Sequence, residues 1–227
     1  MVIKAVLLDF GGTLAEGRMD WDEFHRDIQG VLKALGYPVD LRRLKSAIGS
    51  ALENLKRVRA RGDELTLEQV YGMALDRLGI PSEEGTLELI HDAFRRRYEE
   101  ALYGCTEDVL RRLSGRYRLA LISNTMSDKP RLTLRETGLI DHFQVVVCSR
   151  DLGVRKPNPQ IFTHVLEELG VEPGEAVHVG DSIEADMEGA VGAGITPIWI
   201  ETPRGDSWSG LSIPSICQLP DFLSKFE

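Results

Sequence analysis

The segment VIKAVLLDFGGT, residues 2–13, is an apolar run that ends in an aspartate and a pair of glycines. A short apolar run closed by Gly11 and Gly12 is typical of a buried parallel strand. In doubly wound sheets, ligands bind outside the carboxyl ends of the strands. Asp9 therefore stands where chemistry is expected, and the glycines let the backbone approach a ligand closely.

Four further strand patterns follow, and helical patterns separate them. The predicted strands are residues 2–8, 117–122, 143–148, 176–179 and 196–200. The predicted helices that precede or separate the last four strands are residues 108–114, 130–137, 159–169 and 183–193. Strands that alternate with short helices predict an α/β fold with a parallel sheet.

A helical insertion separates the first strand from the others. From about residue 21 to residue 102 the sequence shows no strand pattern, and its apolar spacing predicts four helices. Thr66 with Glu68 opens the third helix, and Ser82 or Thr86 caps the fourth. We therefore predict a core domain of residues 1–15 and 103–227 and a cap domain of residues 16–102. The two tethers, near 14–20 and 102–106, could act as a hinge.

Composition narrows the classes of partner. The chain of 227 residues has a formal net charge of −9, which argues against nucleic acid or an anionic membrane as the main partner. No apolar stretch approaches the ~20 residues of a membrane helix, and the N-terminus lacks a signal-peptide pattern. Cys105, Cys148 and Cys217 are far apart, and we interpret them as reduced thiols in a cytoplasmic protein.

Two candidate sites lie at the ends of the first two core strands. Asp9 can attack an electrophile and form a covalent aspartyl intermediate, although an aspartate that hydrogen-bonds the following turn would look the same. Ser123 and Asn124 follow the second core strand. A hydroxyl group with exposed backbone N–H groups suits phosphate, although a loop that caps the next helix is the simpler interpretation of this site alone.

Two more candidate sites follow later strands. Lys156 stands just before Asn158 and Pro159, a favourable N-cap and first-turn pair, so its ammonium group could reach a phosphate or an aspartate. Asp181 and Asp186 follow the fourth core strand. Carboxylate oxygens are the ligands of hard cations such as Mg²⁺, and helix capping is the alternative. Four such sites at four strand ends are hard to explain by capping.

In order and spacing, these residues resemble the motifs of the haloacid dehalogenase-like hydrolase superfamily. Asp9 with Gly12-Thr13 is similar to the first motif, Ser123 to the second, Lys156 to the third, and Asp181 with Asp186 to the fourth. The resemblance covers nearly the whole chain, including the helical insertion. It implies a Rossmann-like core with a mobile helical cap.

The resemblance also implies a function, because most members are Mg²⁺-dependent phosphatases. It implies that Asp9 attacks phosphorus in line, while Lys156 and Ser123 neutralise and orient the phosphoryl oxygens. Asp186 would support Lys156 or a metal-bound water. The residues assigned to the substrate are Gly12, Ser123, Asn124 and Lys156. The residues assigned to the metal are Asp9, Gly11 through its carbonyl group, Asp181 and Asp186.

Gly11 departs from the family pattern, because phosphatases of this group usually have a second aspartate there. That aspartate protonates the leaving group, which is typically worth ~10²–10⁴-fold in rate. The candidate substitutes near the cap are Glu16, Asp20 and Asp22. Otherwise the substrate has a leaving group that needs no acid.

Three functions fit the sequence. The leading one is a phosphatase of a small phosphorylated metabolite, acting as a monomer or homodimer without nucleic acid or membrane. A haloacid dehalogenase needs no leaving-group acid, so it tolerates Gly11, but it has no use for the Asp181 and Asp186 pair. A non-enzymatic binding or regulatory protein is supported by Gly11 alone. The candidate cap contacts to substrate are Arg18, Trp21, Arg57 and Arg61.

Overall fold

A computed structural model describes residues 2–203 and 206–226 of the chain. The chain divides into two compact units, one of Met1–Glu16 with Glu100–Glu227 and the other of Gly17–Glu99. We call them the sheet unit and the helical unit.

The sheet unit is built on a parallel sheet of six strands. They are β1 (Ala5–Leu8), β4 (Arg118–Ser123), β5 (Val145–Cys148), β6 (Ala176–Gly180), β7 (Thr196–Ile200) and β8 (Leu211–Ile213). Their order across the sheet is β5-β4-β1-β6-β7-β8, and every neighbouring pair is parallel. The prediction of an α/β fold is confirmed. The strand β8 is missing from the sequence prediction, because three residues are too few to show a period.

The alternation of side chains along β1 explains why this sheet is buried on both faces. Val6 and Leu8 belong to one apolar cluster, whereas Ala5 and Leu7 belong to the other. Each strand residue points to the face opposite its neighbour, so a strand covered on both faces is apolar throughout. Leu8 pairs with Leu121 of β4 and with Val179 of β6, which places β1 in the middle of the sheet.

Helices connect the strands of the sheet unit. They are α5 (Thr106–Ser114), α6 (Lys129–Glu136), α7 (Ser149–Leu152), α8 (Pro159–Leu169), α9 (Gly189–Gly192) and α10 (Leu219–Leu223). Asn158 caps α8 by accepting a hydrogen bond from the Gln160 backbone, and Pro159 occupies the first turn, as predicted. The helix predicted over residues 183–193 begins as a π-helical turn, Ile183–Glu188, which then continues into α9.

The helical unit contains the four predicted helices. They are α1 (Trp21–Ala34), α2 (Leu41–Arg59), α3 (Leu67–Leu78) and α4 (Glu84–Arg97). Thr66 caps α3 and Glu68 lies in its first turn, as predicted, and Gln69 completes a capping box with Thr66. The N-cap of α4 is Glu83, whose side chain makes no capping bond, so the prediction of Ser82 or Thr86 is wrong.

A two-stranded sheet of β2 (Ala15–Arg18) and β3 (Glu99–Leu102) is absent from the prediction, and β3 corrects the expectation that residues 21–102 contain no strand. The strand β2 lies within the first predicted tether, and β3 ends where the second one begins. Their residues are mostly exposed and include charged side chains. Strands of this kind lack the apolar run or clear alternation by which a sequence reveals a strand.

The interpretation of three reduced thiols is wrong for two of them, because Cys105 and Cys217 form a disulfide in the sheet unit. Their Cα atoms are 5.6 Å apart although 112 positions separate them in sequence. Linear spacing cannot show which cysteines the fold brings together. Cys148 is free and buried, and burial raises the pKa of its thiol to about 12. Within the described ranges, no helix is both long and apolar enough to cross a membrane.

Candidate active site

Three of the predicted residues lie at the carboxyl ends of three adjacent strands of the sheet unit. Asp9 follows β1, Ser123 is the last residue of β4, and Asp181 follows β6. The Asp9 backbone N–H donates to the Val179 carbonyl at 2.9 Å, which extends the pairing of β1 and β6 by one residue. Asp9 and Ser123 are both buried, at 7% and 5% exposure.

Lys156 links the predicted motifs through its ammonium group. The side chain is fully buried, and Nζ donates to Asp9 Oδ1 at 2.7 Å and to Asp186 Oδ1 at 2.6 Å. A third bond goes to the Ile122 carbonyl at 2.7 Å, on the strand that ends in Ser123. All three donors of the ammonium group therefore have acceptors. A buried lysine needs this satisfaction because an unpaired buried charge is very unfavourable.

Asn124 holds the backbone of Lys156 in place. Its Nδ2 donates to the Lys156 carbonyl at 2.9 Å, and its Oδ1 accepts from the Lys156 backbone N–H at 2.9 Å. This reciprocal pair joins the end of β4 to the loop that carries the lysine. The amide thus positions Lys156, and the substrate contact predicted for Asn124 stays a prediction.

Each oxygen of the Asp9 and Asp186 carboxylates accepts at least one hydrogen bond. Besides its bond to Lys156, Asp9 accepts from Thr13 Oγ1 at 3.1 Å through Oδ2. Asp186 Oδ2 accepts from the Ser182 backbone N–H at 3.0 Å. The π-helical turn after β6 places Asp186 so that its carboxylate folds back onto the strand end. A Cβ atom at Gly180 would lie 2.3 Å from Asp186 Cγ, so only glycine fits there.

Three carboxylates converge at this edge of the sheet. Asp9, Asp181 and Asp186 each offer an oxygen atom, and these oxygens lie within 4.8 Å of one another. A Cβ atom at Gly12, whose φ is +82°, would lie 2.4 Å from Asp181 Oδ2. The glycine therefore lets the loop after β1 close onto Asp181. An all-oxygen donor set fits a hard cation such as Mg²⁺ rather than a thiophilic metal.

The negative charges at the site outnumber the positive one, because two buried carboxylates share one ammonium group. Burial raises the pKa of Asp9, and Lys156 only partly opposes this increase. Burial acts in the same direction on Asp186, but Lys156 and the ring of His178 outweigh it, so the pKa of Asp186 lies below its usual range. Asp186 holds the closer ion pair and an additional backbone donor. Both carboxylates depend on the single ammonium group of Lys156, and a cation bound beside Asp9 would supply further positive charge.

Burial also favours the neutral form of Lys156, but the carboxylates of Asp186 and Asp9 raise the pKa of its ammonium group above the usual value. The lysine therefore stays protonated at neutral pH. A fixed positive charge beside Asp9 suits the binding of an anionic group.

Gly11 lies on the exposed side of the loop and has no left-handed backbone conformation. A Cβ atom built there meets no atom within 4 Å. Neither backbone strain nor crowding therefore requires glycine at this position, in contrast to Gly12.

Two contacts at the site were not foreseen from the sequence. Thr13 belongs to the quoted motif, but its bond to Asp9 was not predicted. His178 was missed altogether: it is fully buried in β6, and its Nε2 lies 2.9 Å from Asp186 Oδ1. The available signal was a histidine inside the otherwise apolar run AVHVG, residues 176–180.

Two of the residues predicted to contact the substrate from the cap line a cavity of the helical unit. Arg18 and Trp21 line this space of about 810 Å³ together with Arg96 and Arg97. Arg97 is engaged within the unit, since its guanidinium group bonds both carboxylate oxygens of Asp27.

The comparisons with known proteins agree on one family. A model of haloacid dehalogenase-like hydrolases matches residues 3–194. Phosphoserine phosphatase of Thermus thermophilus is 36% identical over 135 residues, 59% of this chain and 54% of that protein. Phosphoglycolate phosphatase of Nitrosospira multiformis is 30% identical over 200 residues, 85% of this chain and 80% of that protein. The chain thus spans about half the length of the first relative and about four fifths of the second.

Solved structures agree with this grouping. A 2-haloacid dehalogenase from Pseudomonas syringae aligns over 100% of both chains with a TM-score of 0.69 and 26% sequence identity.

Proposed function

Since the chain belongs to the haloacid dehalogenase-like hydrolase family, we propose that it is a Mg²⁺-dependent phosphatase of a small phosphorylated substrate that forms an aspartyl phosphate on Asp9. The observation that carries the proposal is the bridge made by Lys156 between Asp9 and Asp186, next to a third carboxylate, Asp181.

The proposed chemistry assigns Asp9 as the nucleophile. Thr13 and Lys156 each bond one of its oxygens, so the carboxylate is held in one orientation. Fixing the nucleophile in this way lowers the entropic barrier to attack. Lys156 also supplies positive charge where negative charge gathers on the phosphoryl oxygens. The hydroxyl group of Ser123 donates a hydrogen bond to one of these oxygens.

The residues that would hold Mg²⁺ are Asp9, Asp181 and the carbonyl group of Gly11, with Asp186 nearby. When bound, the metal supplies a Lewis acid that offsets the charge of a phosphate approaching three carboxylates. Asp186 acts mainly through Lys156, because its two oxygens accept three hydrogen bonds from protein groups.

Several relatives support phosphate ester hydrolysis. The two relatives compared above are named phosphatases, one of phosphoserine and one of phosphoglycolate. Their shared chemistry is a small organic phosphate, and we extend that class to this chain. We retain a cytoplasmic location and a monomer or homodimer as predictions. Disulfides are rare in reducing compartments, so the count of free thiols in the protein isolated from cells tests the location.

A haloacid dehalogenase is the second candidate, because Gly11 removes no group that it needs and the Pseudomonas syringae structure is a dehalogenase. Halide leaves without a proton, so attack by Asp9 would suffice. Asp181 favours the phosphatase, since a dehalogenase that uses no metal has no role for a further carboxylate beside its nucleophile.

Hydrolysis of p-nitrophenyl phosphate and acetyl phosphate, with Mg²⁺ and with EDTA, tests the proposal. We expect phosphate release only with the metal. In parallel, 2-chloropropionate is supplied and chloride release is measured. Chloride release in EDTA without phosphatase activity would establish the dehalogenase instead, and full phosphatase activity in EDTA would contradict the metal assignment.

The Lys156→Met variant tests the charge at the site. We expect a fall in turnover of about 10²–10³-fold, the effect of removing one preorganised donor at a developing charge. Lys129→Met, at the start of α6, is the control. A fall below threefold with unchanged circular dichroism would show that Lys156 does not act on the substrate.

A further inference from the structure

His178 is a buried ionisable residue that the proposed chemistry does not use. Its side chain is fully buried in β6, and its ring stands edge-on to the ring of Phe162, with centroids 5.0 Å apart and an interplanar angle of 86°. Most positions of β6 are occupied by alanine, valine or glycine. An apolar side chain could fill this position, so the choice of histidine calls for a reason.

The two ring nitrogens of His178 have very different surroundings. Nε2 lies 2.9 Å from Asp186 Oδ1, whereas Nδ1 is buried and has no hydrogen-bond partner in the described structure. An unpaired buried acceptor is unfavourable, by an amount comparable to a lost hydrogen bond. The unpaired Nδ1 atom makes a histidine unfavourable at this position. The contact between Nε2 and Asp186 is the favourable interaction that offsets this cost.

The protonation state of the ring follows from this arrangement. No hydrogen-bond acceptor lies beside Nδ1 in the described structure, so a proton there would be buried without a partner. A carboxylate oxygen only accepts hydrogen bonds, so the proton of the neutral ring lies on Nε2 and is donated to Asp186. Nδ1 is then the bare nitrogen, as its lack of a donor partner permits.

The Asp186 carboxylate that His178 contacts also positions the ammonium group of Lys156. Its Oδ1 atom accepts from both His178 and Lys156, and its Oδ2 atom accepts from the Ser182 backbone. Three donors thus fix the plane of one carboxylate. The same ammonium group reaches Asp9 at 2.7 Å, so a rotation of the Asp186 carboxylate would move the lysine that faces the nucleophile.

We propose that His178 is a positioning residue that fixes the Asp186 carboxylate and thereby aims Lys156 at Asp9 and at the group transferred to it. It touches neither substrate nor nucleophile. The assignment rests on the proposed phosphatase activity, whereas the hydrogen bond from Nε2 to Asp186 can be tested without turnover.

A pair of substitutions separates hydrogen bonding from packing. His178→Leu keeps apolar volume and removes the donor, whereas His178→Gln keeps an N–H donor at a similar reach. Loss of an outer hydrogen-bond partner typically lowers activity by about 10–100-fold. We expect that fall in kcat for His178→Leu on p-nitrophenyl phosphate, with KM changed less than threefold, and recovery to within about threefold in His178→Gln. His164→Leu, on α8, is the control and should match the wild type.

A double-substitution cycle identifies the partner. If His178 acts through Asp186, adding His178→Leu to Asp186→Ala lowers kcat no further, because the carboxylate that His178 orients is already gone. Unchanged kcat in a folded His178→Leu protein, equal losses in the leucine and glutamine variants, or additive losses in the double variant would each overturn the proposal.

Nitrogen NMR of isotope-labelled histidine provides the readout that is independent of activity. We expect a protonated Nε2 and a bare Nδ1 for His178, and a shifted Nε2 signal in Asp186→Asn. A proton on Nδ1, or no shift in that variant, would overturn the proposal. If the wild type has the expected tautomer but hydrolyses no phosphate ester, the proposed function fails and the hydrogen bond stands.

Discussion

At the residue scale, the arrangement around Lys156 shows how buried charge is tolerated in the sheet unit. One ammonium group serves two carboxylates, and a backbone carbonyl takes its third donor. Removing one member of such a group leaves an uncompensated buried charge, which typically costs about 3–5 kcal/mol. Replacing a whole buried ionic group by well-packed apolar side chains is often neutral or stabilising, so the presence of this group is expected of a site rather than of a core.

Gly11 is the residue whose replacement tests the role of the missing acid. Its φ is not left-handed and its Cβ position is open, so Gly11→Asp should fold normally. We expect the variant to raise the rate on alkyl phosphates by about 10²–10⁴-fold and to change aryl and acyl phosphates little, because their leaving groups need no proton. The measurement is kcat/KM on a matched series of leaving groups.

Alanine at the two adjacent glycines provides the control. Gly11→Ala should keep the wild-type leaving-group dependence, whereas Gly12→Ala should be destabilised and inactive, because its Cβ atom would collide with Asp181. If the wild type already cleaves alkyl and aryl phosphates equally while chemistry limits turnover, another acid does this work. Glu16→Gln is then the variant to measure.

At the element scale, the side chains of the candidate site lie at the end of β4 and on the loops after β1 and β6, whereas the strands themselves form the buried sheet. The strands at residues 118–123 and 196–200 lie within a residue or so of their predicted bounds, because a buried parallel strand is apolar throughout. The π-helical turn at Ile183–Glu188 could not be predicted, since its extra residue per turn leaves no mark in the apolar pattern. That turn brings Asp186 to Lys156.

The Cys105–Cys217 disulfide joins the start of α5 to the segment before α10. Removing a native disulfide typically costs about 2–5 kcal/mol. We expect dithiothreitol to lower the urea midpoint of the wild type and to leave that of the Cys105→Ser/Cys217→Ser double variant unchanged. A wild type whose midpoint does not move after both thiols have been shown to be free would contradict this expectation.

The contact between Glu68 and His91 links α3 to α4 in the helical unit. Glu68 Oε1 lies 2.6 Å from His91 Nδ1. Burial opposes ionisation of Glu68, but its hydrogen bonds, chiefly that with His91, lower its pKa from 4.5 to about 2. A carboxyl group with a lowered pKa stabilises the fold above its unfolded pKa and loses that contribution as the pH falls.

We therefore expect Glu68→Gln to reduce the free energy of unfolding by about 1.5–3 kcal/mol at pH 7, the range for a hydrogen bond to a charged group. The difference from the wild type should shrink between about pH 4.5 and pH 2. Glu84→Gln, in the first turn of α4, controls for the helix dipole and should change stability little. A difference that stays constant with pH would contradict the ionic origin.

At the scale of the whole molecule, the sequence predicts the strand-and-helix order well and the contacts between distant segments less well. Asp9, Lys156 and Asp186 were predicted as a group because parallel strand ends meet at one edge of a sheet. The partners of His178, Asn124 and Cys105 depend on side-chain orientation and on long-range folding. Linear spacing does not encode these, so the structure was needed to find them.

The central claim is that Asp9 becomes phosphorylated during turnover. Borohydride reduces an acyl phosphate to an alcohol, so quenching the enzyme during acetyl phosphate hydrolysis with Mg²⁺ converts a phosphorylated Asp9 to homoserine, which mass spectrometry of the peptide detects. We predict homoserine at position 9 in the wild type, and none in Asp9→Asn or in EDTA. Phosphate release with Asp9 unmodified, or an active Asp9→Asn enzyme, would contradict the account.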